Sequence, residues 1–337
     1  MTEHAATTTP SGAQRVDDDH VKRVVRKLLS GLVVPLLGAG VNMPGRPKGR
    51  QYSGPDDTYL PNGPELAHYL AASLPDSGPQ FRRREEDLLR VSQFFYVMEG
   101  SGELYQKLHD VFCASYAPGP VHKFLARLQP KLRGAGKGSQ VILTTNYDDA
   151  LERALESIGE EYDLLTYVSA NPAEHRGRFA HRPPGTDEFV PIERPNEYEG
   201  LDPRKRPVIL KMHGAVVRSD TFHQDNYVIT EDHYIDYLAH TDITQLLPTP
   251  IPRYLRNSHF LFLGYGMRDW NLRVILRRIW GTHALDFPSW SVQYNPAEVE
   301  TRYWKDRGVA VFNCDVAEYV ERLHVELVNQ HGLSLIP

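Results

Sequence analysis

A chain of 337 residues, 41% hydrophobic, 24% charged and 10% aromatic, has the apolar content for a large buried core. A mean hydropathy of −0.46, with no apolar run near the roughly 18 residues of a spanning helix, argues against a membrane protein and for a cytoplasmic one. A net charge of −5 argues against a dedicated nucleic-acid binder. Two cysteines, Cys113 and Cys314, cannot build a four-cysteine zinc site and read as reduced, buried thiols.

In chain order, the polar stretch 1–17 lacks the apolar core of a secretory signal and reads as a disordered tail, leaving 18–330 as one domain. Alternating basic and apolar positions predict an amphipathic helix over 18–32. The run 32–37 is short, apolar and rich in branched residues, and it ends in Gly38-Ala39-Gly40, as a buried parallel strand turning into a loop would. Pro35 is awkward for a central strand and suggests a strand start or an irregularity. The loop 43–64 is dense in Gly, Pro, Asp and Asn, a length associated with function.

Helical patterns over 65–74, 87–98, 103–116 and 121–128 make a helical insertion at about 65–130. A second buried strand covers 141–145, followed by Asn146-Tyr147-Asp148-Asp149 and a helix to 155. The stretch 170–206 reads as an extended loop or a small irregular subdomain. A third strand, 208–212, ends at His213-Gly214; a helix is expected over 234–247. A fourth strand, 260–263, ends at Gly264-Tyr265-Gly266 ahead of a helix over 269–280. Strands at 290–294 and 309–312 and a helix over 316–329 complete the chain. The recurrence predicts an α/β fold: a Rossmann-like parallel sheet with helices on both faces and a large helical insertion after the first strand.

In such a sheet ligands bind at the carboxyl ends of the strands, and four ends carry unusual residues: Gly38-Ala39-Gly40, Asn146-Tyr147-Asp148, His213-Gly214 and Gly264-Tyr265-Gly266. The first turn would let backbone approach a pyrophosphate and present N–H groups at a helix start, and would equally serve as a tight turn with no ligand. Neither G-x-G-x-x-G nor a Walker loop is present. Asn146 and Asp148 equally suit helix capping, and His213 equally suits a structural histidine. No metal-ligand spacing stands out.

Taken together in this order, Gly38-Ala39-Gly40-Val41-Asn42, Thr144-Thr145-Asn146-Tyr147-Asp148, Lys211-Met212-His213-Gly214 and Gly264-Tyr265-Gly266-Met267-Arg268-Asp269-Trp270-Asn271 resemble the sirtuin-like family over about 32–323, with echoes at 88–94 and 303–309. The branch resembled is that of bacterial anti-phage defence. It implies NAD as substrate, no metal, and cleavage of the nicotinamide–ribose bond. By resemblance, Asn146 hydrogen-bonds the ribose or the attacking water, and His213 is a general base of near-neutral pKa. Asp148 would hold the nicotinamide carboxamide. Gly38, Ala39, Gly40, Val41 and Asn42 would cradle the pyrophosphate, with Thr145, Gly264, Tyr265 and Gln293 completing the contacts.

The departures concern deacylation. The zinc ribbon of deacylase sirtuins, two C-x-x-C pairs, is absent, and 170–206, its approximate place, holds no cysteine. Tyr147 stands where the deacylases carry Ile, and Asn42 where they carry Ser. The alternatives to an NAD hydrolase are an NAD-dependent deacylase and a non-catalytic NAD or ADP-ribose sensor. The resemblance further implies a homo-oligomer controlled by a partner such as a HerA-like ATPase or an Argonaute-like protein, with nucleic acid met only through that partner. The helical insertion is the expected assembly surface, or equally an ordinary cover over the sheet.

Overall fold

A computed structural model describes residues 12–47, 49–74, 86–218, 222–239, 243–266, 276, 279 and 287–334. Helix α1 (Asp18–Leu29) shows how directly local chemistry sets an element. Asp17 caps it by accepting from the His20 N–H at 2.7 Å, Asp18 and Asp19 sit in the first turn, and Arg26 and Lys27 in the last. Its buried residues Val21, Val24, Val25 and Leu28 fall at i, i+3, i+4 and i+7, each contributing about 1.5–3 kcal/mol by burial. The tail expected over 1–17 is held at its inner end. Gln14 donates its N–H to the Val311 carbonyl and accepts from the Asn313 N–H, forming a parallel bridge to the last strand.

The strands are β1 (Val33–Leu37), β2 (Val141–Thr144), β3 (Asp163–Tyr167), β4 (Phe179–Arg182), β5 (Val190–Pro191), β6 (Val208–Lys211), β7 (His259–Leu263), β8 (Ser289–Gln293) and β9 (Val309–Asn313). They form one nine-stranded sheet in the order β5-β4-β3-β6-β2-β1-β7-β8-β9. From β3 to β9 every neighbouring pair is parallel. The block β6-β2-β1-β7-β8-β9 has the 3-2-1-4-5-6 order of dinucleotide-binding sheets. The sheet is largely parallel, as expected, with an antiparallel edge the sequence did not show: β4 and β5, inside the loop-rich stretch 170–206, pair antiparallel. Pro35 lies within β1, at the centre of the sheet. The β2 ladder starts only at Leu36, and the Gln140 side-chain amide serves the Val33 carbonyl at 2.9 Å, so the irregularity is absorbed on that side.

Alternation along the strands divides the core. Val33, Leu37, Ile142, Ile209 and Leu261 pack under α1, α5 (Pro120–Gly134), α6 (Ala150–Glu156) and α10 (Val316–His331). Val34, Leu36, Leu143, Leu210, Phe260 and Phe262 face the opposite layer, which includes α7 (Glu231–Ala239), α8 (Pro250–Arg256) and α9 (Glu298–Lys305). Of the helix expected over 234–247, the part to Ala239 is helical within α7 and Ile243–Leu246 form a 3-10 turn, residues 240–242 lying outside the described residues. Of the helix expected over 269–280, only Leu276 and Ile279 are described, both buried in this second layer.

The insertion is helical as expected: α2 (Gly63–Ala72), α3 (Leu88–Glu99) and α4 (Ser101–Cys113) build a third apolar cluster with Tyr147, Val216, Tyr227 and Ile229. Cys113 and Cys314 form no disulfide and are half-buried where the sequence predicts buried thiols, and burial pushes the Cys314 thiol up to about 11. Among the described residues, no helix is long and apolar enough to cross a membrane.

Candidate active site

The carboxyl ends of β1, β2, β6 and β7 meet at one cavity of about 450 Å³. Gly38, Ala39, Gly40, Asn42, Thr145, Asn146, Asp148, His213, Gly264 and Tyr265 all line it. Two expected contacts do not. Val41 is fully buried in the core beneath α5 and α10, because its apolar branched side chain follows the 3-10 turn Ala39–Asn42 inward. Gln293 closes β8, two strands from β1, and donates to the Ser291 hydroxyl at 3.1 Å instead of lining the cavity. The segment 267–271 lies outside the described residues.

The glycines have a structural reason of their own. A Cβ on Gly40 would stand 2.5 Å from the Gly264 carbonyl oxygen, and one on Gly38 would stand 2.7 Å from the Tyr265 ring. Gly264 has φ +63° and would place a Cβ 2.3 Å from the Val41 nitrogen. The two turns therefore interlock backbone to backbone, and the Gly40 N–H is already donated to the Gly264 carbonyl at 2.8 Å. Of the N–H groups expected at this turn, that of Gly40 is engaged here; the pair sets the width of the crevice where strand order reverses. Gly264→Ala combines steric overlap with left-handed strain of about 1–3 kcal/mol, so thermal melting should show a clearly lowered Tm. An unchanged Tm would contradict the interlock.

On the β2 side, Thr144 donates its hydroxyl to the Leu37 carbonyl at 3.1 Å and accepts from the Asn146 N–H at 3.0 Å. That pair binds the start of the Asn146-Tyr147-Asp148 turn to β1. Asp148 does two things at once. One oxygen accepts from the Ala150 N–H at 3.1 Å, a capping contact for α6, and the other from the Asn42 amide at 3.0 Å. Asn42 thus braces Asp148 across the crevice. Asn146 is half-buried on the cavity wall, and its amide makes no hydrogen bond among the described residues. Tyr147 is buried; its hydroxyl donates to the Val228 carbonyl at 2.8 Å, and its ring packs edge-on against Phe112 of α4 and Tyr227.

His213 follows β6. Its ring is buried edge-on against Tyr234 and Tyr237 of α7, its Nδ1 lies 3.3 Å from the Tyr234 hydroxyl, and its Nε2 is buried with no hydrogen-bond partner. Burial lowers its pKa to about 3, not the near-neutral value expected from sequence. The adjoining Gly214, at φ +90°, would put a Cβ 2.1 Å from the Asn226 carbonyl oxygen, so the chain must turn there on glycine.

Other residues at the cavity are not singled out by the sequence as site residues, although most fall in the loop 43–64 and the echo at 88–94. The wall opposite the strands comprises Met43, Pro61, Asn62, Gly63, Pro64, Leu66, Leu88 and Phe112. It is pinned by Arg46, which pairs with Glu65 at 2.5 Å and donates to the Leu60 carbonyl at 2.6 Å, and by the Asn62–Glu65 capping box. Beneath the 146–148 turn, Lys211 and Glu152 form a fully buried ion pair at 2.7 Å. A lone lysine in the apolar run Val208-Ile209-Leu210-Lys211-Met212 was the signal for it. Among the described residues, no group of His, Cys, Asp and Glu is arranged to hold a metal ion.

A cavity at the carboxyl edge, beside the reversal of strand order, places the chain among the doubly wound α/β proteins of dinucleotide-binding topology. The chain belongs to the SIR2-like family: the model of the SIR2-like domain matches residues 140–312, just over half of its length. Among curated proteins it is 30% identical over 198 residues to the NAD(+) hydrolase ThsA of Acinetobacter baumannii (strain 532279), covering 58% of this chain and 32% of that protein. It is 26% identical over 196 residues to the ThsA of Cytobacillus dafuensis, covering 58% and 31%. It is also 20% identical over 252 residues to the defense-associated sirtuin 2 of Bacillus subtilis, covering 73% and 20%. The chain therefore spans a third or less of the length of these relatives.

Proposed function

We propose that this chain hydrolyses NAD at the nicotinamide–ribose bond, giving nicotinamide and ADP-ribose, as the effector of a defence system. The observation that carries the reading is the pairing, on one cavity wall, of the unengaged Asn146 amide with a buried His213 whose Nε2 has no partner. Leaving a buried polar group unpaired costs about 1–3 kcal/mol, and a ligand hydroxyl or a water held for reaction would satisfy it. Membership of the SIR2-like family and two relatives named NAD(+) hydrolase support NAD as that ligand.

The chemistry needs little from the protein beyond placement. Nicotinamide leaves a cationic pyridinium as a neutral base, so no general acid is required. The transition state is oxocarbenium-like, as in other glycosidic cleavages. The C1′–N bond breaks, a water oxygen bonds to C1′, and one proton is released. Asn146 orients the ribose or the water. His213 is neutral at pH 7; in the tautomer with its proton on Nδ1, facing the Tyr234 hydroxyl, it accepts at Nε2 from a water or a ribose hydroxyl. With a pKa of about 3 it orients the nucleophile rather than storing its proton, a revision of the general-base role. The interlocked Gly38–Gly40 and Gly264 turns line the remainder of the crevice.

The low pKa has a testable sign. His213 stays neutral until pH falls toward 3, so kcat/KM for nicotinamide release should show no acid limb centred near 6.5; such a limb would contradict this role. For stability, a histidine whose folded pKa is depressed stabilises fully above its unfolded value and loses that contribution as pH falls below it. His20 and His233, both lowered to about 4 chiefly by burial, act in the same direction as His213. Chemical denaturation should therefore show stability falling as pH drops from about 6.5 toward 4, by at most about 1.4 kcal/mol per pH unit for each histidine.

Water, not acyl-lysine, is the proposed acceptor. Tyr147, tied to Val228 and packed on Phe112, fills space at the cavity, and the cysteines of a zinc ribbon are absent. Incubation with NAD and an acetyl-lysine peptide tests this: ADP-ribose should form at the peptide-free rate, and acetyl-ADP-ribose would overturn it. An enzyme that depletes NAD must be restrained, and we place that control in homo-oligomerisation and a partner such as a HerA-like ATPase.

A further inference from the structure

We infer that Lys211 is a positioning residue for the proposed hydrolysis: its buried ammonium fastens the turn carrying Asn146 and Asp148 to the strand that leads to His213. The inference rests on reading the cavity as the NAD-cleaving site. Lys211 ends β6, two residues before His213, and its side chain is 1% exposed. Its Nζ donates to the Asp148 carbonyl, lies 3.4 Å from the Tyr147 carbonyl, and pairs with Glu152 of α6 at 2.7 Å. The Tyr147 carbonyl already accepts from the Val216 N–H at 3.1 Å, whereas the Asp148 carbonyl lies ahead of the first turn of α6 with no place in its ladder. A buried carbonyl must find a donor, and for Asp148 that donor is the Lys211 ammonium, reaching from the neighbouring strand β6.

Stability alone does not account for an ion pair here. A well-packed apolar pair of similar volume is often as stable as a buried ion pair, or more so. This pair is also incompletely satisfied: Glu152 Oε2 is buried without a partner, and burial pushes the Glu152 carboxyl up. What an apolar replacement would lose is the donor on the turn. One cation holds Asn146 through its neighbours' backbone while the same strand continues into His213, so both residues are referenced to a single buried point.

The test is the double variant Lys211→Met/Glu152→Leu, which removes both charges and leaves apolar volume. With the chain folded, kcat for nicotinamide release should fall about 10- to 100-fold, the scale expected for a misplaced reacting group, while KM for NAD changes far less. Deuterium exchange of a peptide covering 145–149 should quicken. A folded double variant with wild-type kcat and unchanged exchange overturns the inference. Lys211→Gln, which keeps one N–H donor, gives a second check: its kcat should lie between those of wild type and Lys211→Met, and equal values in the Gln and Met forms also overturn it. If wild-type protein releases no nicotinamide, the functional reading fails, whereas exchange at 145–149 still tests the positioning.

Discussion

Asn146→Ala should lower NAD cleavage by about 10²–10³-fold while leaving the melting temperature close to wild type. The magnitude is that of removing one preorganised polar group aimed at a reacting centre. The small stability effect follows from the structure: the amide makes no hydrogen bond among the described residues, and the half-buried side chain lies on the cavity wall rather than in a core. The turn itself is held by groups the substitution leaves in place, namely Thr144 on the Asn146 N–H, Lys211 on the Asp148 carbonyl and Asn42 on the Asp148 carboxylate. A capping residue would behave differently, because its loss costs stability and leaves chemistry alone. Kinetics and thermal melting on the same preparation separate the two. Wild-type turnover in Asn146→Ala would remove this residue from the chemistry.

Lys211→Met should have the largest effect on stability, about 3–5 kcal/mol, because it strands Glu152 as a buried charge without its partner. The adjacent Asp149 adds to the penalty on that carboxylate. Urea denaturation followed by tryptophan fluorescence reads this as a lowered midpoint with little change in slope. Adding Glu152→Leu should return most of the loss, since the desolvation penalty then disappears with the charge. If Lys211→Met is as stable as wild type, the pair is not the buried ion pair described.

The sheet and its layers were legible in the sequence because buried parallel strands announce themselves as short branched-apolar runs. Six of the nine strands were read this way, and four of their ends do converge on one cavity. β3 was missed because Asp163 and Thr166 interrupt its apolar pattern. β4 and β5 were missed because they are short, polar and antiparallel inside a proline-rich stretch. At the site, residue type was readable and environment was not. His213 carries nothing in its neighbours along the chain to show that Tyr234 and Tyr237, more than twenty positions away, would bury it and lower its pKa. Gly40 signalled a close backbone approach, but the partner is Gly264, and that pairing exists only once β1 and β7 are neighbours. Val41 and Gln293 lie outside the cavity lining for the same reason: adjacency to a motif, or to a strand end, does not decide which way a side chain faces.

The central claim is tested most directly by incubating the purified chain with NAD, alone and together with nucleic acid or the product of its genomic neighbour, and separating the products by liquid chromatography, the outcome being read from whichever condition is most active. The account predicts nicotinamide and ADP-ribose in equal amounts from wild type, and neither above background from Asn146→Ala of matching stability. A folded protein that binds NAD yet leaves it intact, or equal product from both forms, would contradict it.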